Sequence, residues 1–316
     1  MEAERRFRAM GTTVHVVVHG DPELAVLAQA EIERLEQLWS RFLPTSEVTE
    51  LAVRSGDWVR VSPETVELVE RAILASVVTQ GRFDPTVLGD VIRAGYDRSY
   101  EELVGLDRAA APTSPLGQGV GGIDVDAAAL AVRLPADVGF DPGGVGKGLA
   151  ADLVAARIDG EGAAGVLINI GGDLRAVGCA PAGEDWFVDL DPAATGQPLA
   201  RVVIDHGAVA TSTVLRRAWT IGGERHHHLI DPGTGRPTAT DVVAASVLAG
   251  HGWQAEVLAK AAVVAGLEEG LALVESMGAS ALLVDDHGGL HPTADFYRFS
   301  IPIPGRAPAP LTEVPT

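Results

Sequence analysis

The sequence predicts an α+β fold in one compact domain, on three observations. Short apolar runs of strand length, among them Val14-His15-Val16-Val17-Val18 and Val166-Leu167-Ile168, alternate with segments of helical spacing such as residues 22–42, 62–79 and 253–265. Glycine-rich turns stand beside several of these elements, yet neither Gly143-Gly144-Val145-Gly146-Lys147-Gly148 nor Gly171-Gly172-Asp173 has the GxGxxG or GxxxxGK[ST] spacing, which excludes a Rossmann or P-loop assignment. Finally, 316 residues with 47% hydrophobic content suffice to bury a large core.

Taken in order, residues 10–19 read as a strand. Pro22 to Phe42 read as a helix, because Leu24, Leu27, Ile32, Leu35 and Leu38 recur near the helical period while Glu31, Glu33, Arg34 and Glu36 fill polar positions. Trp39 and Phe42 close it as packing aromatics. Val59 and Val61 form a short extended piece, and Ser62-Pro63-Glu64 opens a helix through about Thr79, with a capping hydroxyl and a proline suited to the first helical position. Asp84 reads as a cap for the stretch from Thr86 to Ile92. Residues 97–122 hold turns and no assigned chemistry, and Val125 to Leu134 make one or two short exposed strands.

The chain is organised around Phe140 to Asp152, where an acid, four glycines and one lysine precede Ala150 to Arg157. This is the pattern of a strand end, a tight turn and the first turns of a helix. Glycines allow backbone to approach a ligand, helix-start N–H groups attract anionic oxygens, and Lys147 adds a positive charge. The same segment also reads as a plain structural turn. Gly160 and Gly162 end the helix. Strands follow at 166–170 and 174–177, joined by a hairpin-like turn at Gly171-Gly172-Asp173, then at 186–190, 199–204, 208–210 and 241–249. His226, His227 and His228 alternate between strand faces, a poor arrangement for a single all-histidine metal site. Asp231-Pro232-Gly233-Thr234-Gly235 is a tight turn. Trp253 to Ala265 and Glu268 to Met277 read as helices and Ala281 to Val284 as a buried strand. The domain spans 1–300, and the proline-rich tail 301–316 lacks packed periodicity.

The 43 acidic against 24 basic side chains give a formal charge of -19, which repels nucleic acid and anionic membranes, so a phosphate-bearing ligand needs a local positive pocket. One cysteine, Cys179, excludes an intrachain disulfide or thiolate metal cluster. The charged first residues lack the apolar segment of about 7 to 15 residues that marks a signal peptide, and no run reaches membrane-spanning length. A cytoplasmic location and no membrane insertion are expected.

An ordered set of short motifs carries a family likeness. It runs through Met10-Gly11-Thr12, Phe83-Asp84-Pro85-Thr86-Val87, Asp141 to Asp152, Gly171-Gly172-Asp173, Ala210-Thr211-Ser212 and His227-His228-Leu229-Ile230-Asp231-Pro232-Gly233-Thr234-Gly235-Arg236-Pro237. Together these span nearly the whole chain, and the sequence resembles the ApbE family of flavin transferases. The resemblance implies mixed sheets covered by helices with a ligand cleft between two halves. It implies transfer of FMN from FAD to a threonine or serine hydroxyl of a target flavoprotein, with AMP released. The alternative is a catalytically degenerate protein that binds FAD or a partner.

The resemblance also implies site residues. Met10, Arg82, Phe83, Asp84, Asp141, Lys147, Asp173, Thr211, Ser212, His228, Leu229 and Lys260 are expected to bind the flavin dinucleotide, and His228 and Glu256 to assist deprotonation. A magnesium ion is implied on the Gly144 carbonyl, a carboxylate at Glu256, and a hydroxyl one helical turn later. This chain has Lys260 at that last position, and a protonated ammonium cannot ligate Mg²⁺. Three readings of Lys260 stay open: a surface ion pair with Glu256, a charge substituting for part of the metal, or an incidental helix residue. At Thr213 the family's usual glycine is replaced, which predicts a bulkier pocket wall.

Overall fold

The structure, a computed structural model, describes residues 1–103, 117–221 and 223–303. The turn-rich stretch 97–122 is therefore described only in part, and 304–316 of the proline-rich tail lie outside the described residues. The described residues fall into two compact units: those within Met1–Ile32, Lys147–Leu215 and Thr240–Thr316 form the first, and those within Glu33–Gly146 and Arg216–Ala239 the second.

The first unit is built on an eight-stranded antiparallel sheet. Its strands are, in spatial order, Glu2–Ala9, Thr12–His19, Gly165–Ile170, Asp173–Gly178, Gly207–Thr213, Val242–Ala249, Ser280–Asp285 and Leu290–Pro292. The helix Gly252–Ala265 packs on strands Gly207–Thr213 and Val242–Ala249, where Ala208, Ala210 and Ala255 meet and their small side chains let the helix approach closely. Alternation sends Val209 and Leu248 to a separate core cluster with Trp186, Leu190, Val202 and Ile204 of a smaller sheet. The first strand was not foreseen. Its sequence EAERRFRA alternates, with Ala3, Phe7 and Ala9 on the less exposed face, but Arg5 interrupts that face and charge dominates the run; among the described residues it pairs only with Thr12–His19, and its charges suit an edge.

In the second unit, helix Pro63–Val78 starts as its sequence predicts: the Ser62 hydroxyl accepts from the Thr65 N–H and Pro63 takes the first turn. The helix Glu47–Val53, capped by Ser46, is an addition to the sequence reading. Val87, Val91, Ala94, Tyr96, Trp219, Ile221 and Ile230 form a core cluster here. The strand Ala218–Ile221 pairs with Glu224–His227, and Asp231 closes its turn by accepting from the Gly233 N–H at 2.9 Å. No described helix is long and apolar enough to cross a membrane.

Candidate active site

In the first unit the predicted residues collect at one end of the large sheet. Met10 and Gly11, at φ +50° and +64°, turn the chain between the first two strands. Strand Thr12–His19 pairs with Gly165–Ile170, which places that turn beside Gly171 and Gly172; a Cβ on Gly171 would lie 2.5 Å from the Thr12 hydroxyl. Asp173 opens the returning strand at this same end. The Thr211 hydroxyl bonds the Ser246 hydroxyl at 2.8 Å, and Ser212 follows Ala208 and Ala210 in alternation onto the helix face. Thr213 is buried and its hydroxyl donates to the Val243 carbonyl at 3.0 Å. Its extra atoms tie strand to strand.

Lys147 is the hub. Its ammonium, on the second residue of helix Gly146–Gly160, donates to both Asp173 and Glu256. The other Glu256 oxygen accepts the Gly148 N–H at 2.8 Å. Burial alone would push the Lys147 pKa down, but the flanking carboxylates of Asp173 and Glu256 outweigh it, so the ammonium is held above its usual range. Burial pushes the Glu256 carboxyl up, against the pull of Lys147. Asp152 organises the surroundings: it accepts from the N–H groups of Gly252 and Trp253 at 2.7 and 3.0 Å and lies 3.3 Å from buried Arg175.

These contacts correct two expectations. Glu256 and Lys260 are 3% and 5% exposed, so the pair is not a surface ion pair. Both Glu256 oxygens already accept from N–H donors, so Glu256 fits a residue that positions Lys147 better than a base. The magnesium site implied on Gly144 and Glu256 does not fit either. Mg²⁺ requires hard oxygen donors in near-octahedral array; here the carboxylate is occupied, an ammonium replaces the hydroxyl, and among the described residues no three His, Cys, Asp or Glu are grouped to hold a metal.

In the second unit, Asp84 accepts from the Thr86 N–H and hydroxyl at 2.8 and 2.7 Å, which closes a local turn; helix Leu88–Arg93 starts after Val87 with no side-chain cap, so the expected cap on that helix is not formed. Phe83 and Leu229 are 0% and 2% exposed, so their side chains pack inside the unit and offer a ligand no open face. Arg82 stays half-buried. Asp141 accepts from the Gly143 N–H at 3.0 Å, and Gly144, at φ +107°, takes the turn onward. The His228 ring stands edge-on to Tyr96, centroids 6.4 Å apart.

Sequence reading missed Arg41. Its guanidinium lies 4.2 Å from the Phe42 ring centroid and 4.6 Å from that of Tyr96, donates to the Tyr96 carbonyl at 2.9 Å, and sits 3.6 Å from Asp141. With Val48, Thr49, Ala52, Val53, Leu88 and Phe140 it lines a cavity of about 200 Å³. The available signal was an arginine set between Trp39 and Phe42 at a helix end.

A model described as the ApbE family matches residues 10–283. Relatives named FAD:protein FMN transferase include one from Rhodobacter capsulatus, 28% identical over 323 residues, covering 99% of this chain and 61% of that protein. The chain thus spans about three fifths of that relative's length. Another, from Vibrio cholerae, is 28% identical over 285 residues, covering 87% of this chain and 85% of its own. Among solved structures, the ApbE protein of Thermotoga maritima aligns with a TM-score of 0.83 at 26% identity, over 96% of this chain and 100% of that one. The flavin transferase ApbE from Vibrio cholerae, at 23% identity and a TM-score of 0.76 over 95% of this chain and 99% of its own, shares the fold. With its motifs in order, its α+β fold matched along its length and the family model covering most of its residues, this chain belongs to the ApbE family.

Proposed function

We infer that this chain is an FAD:protein FMN transferase that attaches FMN to a threonine or serine hydroxyl of an acceptor flavoprotein. Membership of a family whose relatives carry that name supports the reading, and one observation carries it: the Lys147 ammonium, pinned by two carboxylates at a helix start, is a fixed cation of the kind a diphosphate requires. The acceptor oxygen attacks the FMN-side phosphorus, the phosphoanhydride bond to AMP breaks, and AMP leaves. Negative charge grows on the departing phosphate, where Lys147 stabilises it. His228 takes the hydroxyl proton, because Glu256 is committed to Lys147 and Gly148.

The test is incubation of the purified chain with FAD and an acceptor flavoprotein bearing a flavinylation threonine. Covalent flavin fluorescence on a denaturing gel, with AMP formed one for one, is expected. Bound FAD with neither product would leave a binding protein.

A further inference from the structure

Three charged side chains of the first unit are bonded together, and a fourth, Lys260, lies one helical turn from one of them. Lys147 is bonded to Asp173 and Glu256, and Lys260 follows Glu256 by one turn on the same face of helix Gly252–Ala265. Asp173, Glu256 and Lys260 are each at most 5% exposed, whereas the Lys147 side chain keeps 22% of its surface open. The two ammonium and two carboxylate charges sum to zero with no added ion.

We propose that this group replaces a divalent cation: fixed lysine charge meets the FAD diphosphate, and the chain binds FAD without Mg²⁺. The proposal rests on the transferase reading above. Each oxygen of Glu256 already accepts an N–H donor, one from the Lys147 ammonium and the other from the Gly148 backbone, so a metal there would compete with a cation already in place. The glutamate arm is one methylene longer than an aspartate, and that length is spent reaching both donors at once. A dication entering at Glu256 would meet the Lys147 ammonium bonded to that carboxylate, in a buried site with little water to screen like charges, and the next residue one turn along the same helix face is a second lysine, Lys260. A lysine is rarely buried unless it answers negative charge. Lys260 adds to the group one of the two positive charges a dication would bring.

The experiment is calorimetric titration of FAD into the full chain, in EDTA and in Mg²⁺, with Mn²⁺ binding followed by electron paramagnetic resonance as a direct probe of a metal site. The expected result is an FAD affinity equal within about twofold in the two buffers and no stoichiometric Mn²⁺ site. Lys260→Ala is expected to weaken FAD binding about tenfold, Lys260→Arg to restore most of it, and Glu256→Asp combined with Lys260→Thr to create both a Mn²⁺ signal and a magnesium-dependent affinity. Circular dichroism accompanies each variant, and should Lys260→Ala misfold, the wild-type comparison and the double variant still decide. Stoichiometric Mn²⁺ binding by the wild type, or an affinity lost on chelation, overturns the proposal while leaving the flavin reading intact. Failure to bind FAD in either buffer overturns the flavin reading itself and this proposal with it.

Discussion

Gly148 and Gly252 bring two helices into backbone contact: a Cβ on Gly148 would stand 2.3 Å from the Gly252 carbonyl oxygen, and one on Gly252 would stand 2.5 Å from the Gly148 oxygen. Only at that separation does Glu256, one turn along, reach the Gly148 N–H and Lys147 together. Gly148→Ala must push the helices apart, since neither obstructing atom belongs to a side chain that can swing away. A loss of about 3 kcal/mol is expected in chemical denaturation, with FAD affinity falling in step.

Removing the hub should cost more than its own contacts. Lys147→Met leaves Asp173 and Glu256 buried side by side without their cation, a change expected to destabilise the fold by about 3 to 5 kcal/mol near neutral pH. Burial already pushes the Glu256 carboxyl up, and without the opposing pull of Lys147 it binds a proton more tightly folded than unfolded, so the deficit should shrink as pH falls toward 5. Denaturation midpoints across that range measure it; a deficit that does not vary with pH would contradict the buried pair.

Acid should weaken the wild-type chain through His227. Its Nε2 faces the Thr238 carbonyl at 3.1 Å, and its Nδ1 accepts the Leu229 N–H at 3.3 Å, an arrangement that needs the neutral ring. Burial holds its pKa below the usual histidine value, with the charges of Arg225 and His226 acting in the same direction and the Thr238 bond opposing them. Because the folded pKa is depressed, the unfolded chain binds more protons as pH drops below the ordinary histidine range, so stability falls with acidification there. His227→Gln should flatten the melting temperature against pH between pH 7.5 and about 5.

Arg41 should resist replacement by lysine. The planar guanidinium rests against both Phe42 and Tyr96 while donating to the Tyr96 carbonyl, and an ammonium cannot reproduce that stacking. Arg41→Lys is expected to cost about 1 to 2 kcal/mol in denaturation. If the cavity it lines receives a ring of FAD, fluorescence titration should show weaker flavin binding as well.

Much of this architecture was legible in residue types. Ser62-Pro63 marked a helix start, Gly171-Gly172-Asp173 marked a hairpin, and Asp84 marked a local turn, because each acts on backbone within a few residues of itself. The ordered motifs also pointed to the family. The strand Glu2–Ala9 stayed hidden, since Arg5 interrupts its inward face of Ala3, Phe7 and Ala9 and charge dominates the run.

The partners of the charged residues were decided in three dimensions. Lys147 and Glu256 are 109 positions apart, and nothing local distinguishes a glutamate that holds a lysine from one that awaits a metal. Read along its own helix, Glu256 had Lys260 as its obvious mate, because spacing reports which residues share a face. Which face is buried, and which distant backbone crosses it, depends on helices meeting at Gly148 and Gly252. The sequence alone therefore determined the motifs, the α+β class and the family. Tertiary packing decided that Glu256 turns both oxygens toward Lys147 and Gly148, because pairing a charge removed from water outweighs any preference set by its neighbours in sequence.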